Sequence, residues 1–81
     1  MSNIKGKVKY IIFESTTGFK VGQFLIKSTD DEQLSEYVNK TITFTGTFLE
    51  LNNQETYSFD GEFVYHEKYG YQFQTTSYSK V

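Results

Sequence analysis

Thr41-Ile42-Thr43-Phe44-Thr45-Gly46-Thr47-Phe48-Leu49 is matched fifteen residues on by Thr56-Tyr57-Ser58-Phe59-Asp60-Gly61-Glu62-Phe63-Val64. Thr, Phe, Gly and Phe recur at four places, and Ile/Tyr, Thr/Ser and Leu/Val are similar in kind. Each copy alternates apolar and polar residues with period two, which predicts a strand with one buried and one wet face. Ile42, Phe44 and Phe48 share a face in the first copy, and Tyr57, Phe59 and Phe63 in the second. Each glycine falls on the apolar side, where a missing Cβ lets a strand bend or another backbone approach. Two equivalent glycines on neighbouring strands point to a sheet curling over its own core. Asn52-Asn53 supplies the turn between the copies.

Three more strands flank this pair. Ile4 to Phe13 alternates, with Ile4, Gly6, Val8, Tyr10 and Ile12 on one face and Lys5, Lys7 and Lys9 between them. Ile11 and Phe13 make both faces apolar at its end, as in a long strand that coils and serves two sheets. Ser15-Thr16-Thr17-Gly18 is a hairpin loop in which Gly18 can turn left-handed. Phe19 to Lys27 follows, with Phe19, Val21 and Leu25 on one face. His66-Glu67-Lys68-Tyr69-Gly70 is a second tight connection leading to Tyr71 to Ser79, where Tyr71 and Phe73 share a face. Between the second and third strands, Thr29 and Glu32 fit a capping box, and Leu34, Tyr37 and Val38 have helical spacing. That stretch reads as a short helix at about 30–38 or as a solvated loop. The expected fold is all-β: a small five-stranded antiparallel barrel, OB-fold-like, with an SH3-like barrel as the nearest rival.

The 81 residues allow one domain, 1–81, whose small core must be dense in large side chains. Eight Phe and seven Tyr meet that need. Without Cys there is no disulfide framework or thiolate metal site. No signal peptide and no membrane span is legible, so the expected location is cytoplasmic, with no membrane partner. The net charge of -2 and the absence of Arg argue against sequence-specific DNA recognition, which uses a basic excess and bidentate guanidinium contacts.

Catalytic and metal residues are both expected to be none. Gly6-Lys7 lacks the rest of a phosphate-binding loop. His66, the single histidine, has neither a second ligand at metal spacing nor an orienting carboxylate, and reads as a solvated turn residue. Asp60 and Glu62 read as the wet face of a strand. One constellation points to nucleic acid: Lys5, Lys7 and Lys9 share a side of the first strand. A hairpin closing at Ser15 to Gly18 would set Lys20 opposite Phe13 and Phe24 opposite Lys9 on that side. Ammonium groups neutralise phosphates while rings stack bases, at ~1–3 kcal/mol per base. The alternative is an ordinary solvated lysine face. Tyr65, His66, Lys68, Tyr69 and Tyr71 at the second hairpin are candidate partner contacts.

Ile4-Lys5-Gly6-Lys7-Val8 with Ile11-Ile12-Phe13, then Thr17-Gly18-Phe19-Lys20-Val21, resembles the opening of RecD-like ATP-dependent DNA helicases. Thr43-Phe44-Thr45-Gly46-Thr47-Phe48 resembles their second strand pair. Gly61 to Phe73, with His66-x-Lys68-Tyr69-Gly70-x-Gln72-Phe73, is similar to that family's most specific segment. The chain departs from the family in a longer Ser28 to Lys40 segment, in Tyr71 at a commonly basic place, and in Asn53 for a turn glycine. The resemblance implies an N-terminal accessory domain of a helicase like the alpha subunit of exodeoxyribonuclease V, which unwinds DNA 5′ to 3′ with ATP and magnesium. This chain lacks the Walker motif, so the resemblance implies no catalysis and no cofactor here. The expected partners are single-stranded DNA, the remaining domains of the helicase and a single-strand-binding protein. A protein-docking or intramolecular scaffold role without DNA contact is the competing expectation.

Overall fold

The computed structural model describes residues 1–68 and 70–81. Its strands are β1 Ser2–Glu14, β2 Phe19–Thr29, β3 Thr41–Thr47, β4 Tyr57–His66 and β5 Gly70–Lys80. They close into a barrel in the order β1-β2-β3-β5-β4, the five-stranded OB architecture. The closing seam differs from the antiparallel expectation. β3 and β5 run parallel, pairing 43–45 with 72–74, because β4 intervenes in sequence and β5 returns past it. No helix among the described residues is long and apolar enough to cross a membrane.

The repeat forms β3 and β4 as its periodicity predicts, but the two copies are not neighbours, since β5 lies between them. Both glycines instead turn toward Thr75 of β5. A Cβ on Gly46 would press on the Thr75 Cβ at 3.0 Å, and one on Gly61 would overlap the Gln74 carbonyl. Phe24, Phe44, Phe48, Phe59 and Phe73 are buried inside with Tyr57, Ile4, Ile26 and Leu34. Phe59 stacks on Phe24 at 4.4 Å between ring centres, and Phe44 meets it edge-on at 5.4 Å. Each fully buried Phe contributes about 1.5–3 kcal/mol.

Residues 32–37 form a 3₁₀ helix, so the short helix is present in a tighter form. Its N-cap is Asp31, where a capping box had placed Thr29. The Asp31 carboxylate accepts from the Gln33 N–H at 2.8 Å and from the Ser2 hydroxyl. Thr29 is drawn away to the Asn3 carbonyl, to which its hydroxyl donates at 2.8 Å. The Ser2 hydroxyl first, and then the Gln33 amide, hold the Asp31 carboxyl below its ordinary value.

Candidate nucleic-acid interface

The outer face is set by bulges in β1. The β1–β2 register skips Lys9 between Val8 and Tyr10, and Ile12 between Ile11 and Phe13. An extra residue re-aims the side chains that follow it. Without the first bulge, Tyr10 would continue the inward set of Ile4, Gly6 and Val8. With it, Tyr10 pairs with Gln23 and is 59% exposed. The second bulge sends Phe13 outward beside Val21, 53% exposed. The one-face reading of Tyr10 and Ile12 with Ile4 is thereby corrected.

Two rows then cross the outside of the barrel. One runs Tyr10, Gln23, Thr43, Gln72, and the next Phe13, Val21, Thr45, Gln74. Above them a groove of ≈ 860 Å³ opens between the two hairpins. Ile12 and Phe19 form one wall, His66 stands at the other, and Thr43, Thr45, Gln72 and Gln74 make the floor. Gln23 Nε2 donates to Thr43 Oγ1 at 2.8 Å, which orients one floor hydroxyl. Hydroxyls and amides beneath exposed rings suit flat, neutral, hydrogen-bonding groups.

The predicted site residues separate. Lys5, Lys7 and Lys9 are all exposed along β1, with Lys7 and Leu25 forming the row beside Tyr10 and Gln23. Lys20 and Phe24 do not join them. The expected pairing of Phe13 with Lys20 is displaced by the bulges: Phe13 faces Val21, and Lys20 faces Glu14 on the inward side. Lys20 is buried and donates to Glu14 Oε2. Phe24 is fully buried against Phe59 and is out of a base's reach. The rings that accompany the lysines are Tyr10, Phe13 and Phe19. Phe13 was legible on the lysine side, Tyr10 was missed because a bulge leaves no mark in an alternation count, and Phe19 because the inward face of β2 is the one carrying Lys20, Gly22, Phe24 and Ile26. The threonines of β3 were visible as its wet face, but nothing local distinguishes a groove floor from plain solvent exposure.

The second hairpin is also divided. His66 lines the groove and its Nδ1 accepts from the Lys68 N–H at 3.2 Å. Tyr65 and Tyr71 pair across the strands on the hairpin's opposite face, with ring centres 5.1 Å apart. Lys68 is exposed at the tip. Tyr69 lies outside the described residues. Among the described residues no group of three His, Cys, Asp or Glu side chains could hold a metal ion. Gly6 and Lys7 are interior to β1, so they form no phosphate-cradling loop.

The whole chain, residues 1–81, matches the family model described as ATP-dependent DNA helicase YrrC, OB-fold domain. No solved structure matches it.

Proposed function

The chain belongs to the OB-fold domain family of the ATP-dependent DNA helicase YrrC, and from that premise we propose that it is a non-catalytic accessory domain making a weak contact with single-stranded DNA. The observation that carries this reading is the groove, where Ile12 and the exposed Phe19 ring stand above a floor of Thr and Gln, with Phe13 exposed on the adjoining row beside Val21. OB barrels hold oligonucleotides on the face of their second and third strands, between the two hairpin loops that flank it. The rings stack bases, the amides and hydroxyls meet base edges, and Lys5, Lys7 and Lys9 meet phosphates at the border. Three lysines limit the salt dependence to a slope of about -2. ATP and magnesium would be held by other domains of a 5′ to 3′ helicase, and the setting would be the cytoplasm. A single-strand-binding protein would be met on the same DNA.

Fluorescence anisotropy with an oligonucleotide of about 12 nucleotides, within the ~4–16 an OB fold covers, tests this. Saturable binding at low salt is expected, weakened about fivefold or more by Phe19→Ala as a stacked base is lost. No saturation at high protein concentration, or a variant that binds as tightly as the parent, would end the reading.

A further inference from the structure

On the side of the second hairpin turned away from the groove, four rings form a ladder. Tyr37 of the 3₁₀ helix meets Phe63 edge-on at 5.4 Å, Phe63 stacks on Tyr71 at 5.1 Å and 14°, and Tyr71 meets Tyr65 edge-on at 5.1 Å. Phe63 is half-buried, whereas Tyr65 and Tyr71 stand 63% and 56% exposed. The ladder opens into a cleft of ≈ 550 Å³ whose other wall is the 3₁₀ helix, with Glu32 and Glu36 on its rim. Neither carboxylate has an ion pair among the described residues. Exposed ring faces beside unpaired acids suit a cation with a flat or extended apolar body, and they repel phosphate.

We propose that this cleft docks an arginine-bearing extended segment of a protein, on a face separate from the DNA groove. A guanidinium would lie on the Tyr71 ring with Glu32 or Glu36 beside it, and the Tyr37 and Phe63 edges would take the methylenes. This inference stands independently of the groove: oligonucleotide binding and peptide binding are read at different residues.

The test is an NMR titration of the full chain with the peptide acetyl-(Arg-Gly)₃-amide, with acetyl-(Leu-Ser)₃-amide as comparator. Shifts confined to Glu32, Glu36, Tyr37, Phe63 and Tyr71 are expected from the arginine peptide. Tyr71→Ala should weaken binding about tenfold and the Glu32→Gln/Glu36→Gln pair about fivefold, as ring and charge contacts are lost. Both variants should keep the parent's melting temperature and oligonucleotide affinity. Three results would overturn the inference: no shifts at millimolar peptide, equal shifts with the leucine peptide, or shifts spread over unrelated carboxylates such as Glu50 and Glu67. A (dT)₁₂ oligonucleotide that perturbs Tyr71 instead of the groove would assign this face to nucleic acid and also overturn it.

Discussion

Phe13 and Phe24 are the same residue type with opposite duties, and substitution separates them. Phe24→Ala should cost about 3–5 kcal/mol, because it removes a fully buried ring and the site cannot collapse around the loss. Phe13→Ala should stay within about 0.5 kcal/mol of the parent, since that ring already stands in water. Denaturant unfolding of the two variants measures both, and equal costs would show that Phe13 packs somewhere. Thr75 is a second informative residue. Its Oγ1 is buried with no hydrogen-bond partner among the described residues, in the strand segment that Gly46 and Gly61 approach. Thr75→Val removes the unsatisfied hydroxyl at nearly constant volume and should stabilise the barrel by about 1 kcal/mol. A lower melting temperature for this variant would mean that the hydroxyl is satisfied.

At the scale of elements, the 3₁₀ helix depends on its N-cap. The folded Asp31 carboxyl lies below its ordinary 3.8, held there chiefly by the Ser2 hydroxyl. A depressed carboxyl contributes stability that is fully present above the unfolded value and lost as pH falls through the folded one. Asp31→Ala should therefore lower the melting temperature at pH 7, and the gap to the parent should close below pH 3.8. A gap of constant size across that range would show that the charge is not what matters. The β1–β2 hairpin has its own element-scale dependence, the buried Lys20 against the half-exposed Glu14. Removing only the carboxylate leaves a buried ammonium without its partner, while replacing the lysine with an apolar chain of similar length does not. Glu14→Ala should thus destabilise more than Lys20→Met in thermal unfolding, and the reverse order would place the ammonium in water.

At the scale of the whole molecule, closure rests on a parallel seam that pairs 43–45 with 72–74. Each partner also belongs to a longer antiparallel ladder, β3 with β2 and β5 with β4, so the seam is backed from both sides. Amide exchange should be slowest at Phe24, Phe44, Phe59 and Phe73, in the strands that line the core, and fastest over 15–17 and 49–54. Exchange at 72–74 as fast as in those loops would mean an open sheet. Closure also leaves two clefts on different faces. The outward residues of β2, β3 and β5 form the groove, while the protruding end of β4 and β5 carries its tyrosines on the opposite side.

Period-two alternation by itself determined the strands, because burial against one core imposes that pattern on every strand with a wet side. Gly18 and Gly70, each at positive φ, were legible for the same kind of local reason: a tight reversal needs a residue without a Cβ. The chain alone also determined that Lys5, Lys7 and Lys9 lie along one strand surface. Only the tertiary structure decided which rings accompany them. A bulge shifts register by one residue and exchanges the faces of everything beyond it, at no cost that a pattern of residue types records. That shift exposed Tyr10, while the unbroken alternation of β2 over 19–26 turned Lys20 and Phe24 into the barrel and Phe19 out to the groove. Alternation alone sets His66 and the paired Tyr65 and Tyr71 on different sides of the hairpin, but it was the closed strand order, with β5 beside β3, that brought the His66 side over the groove.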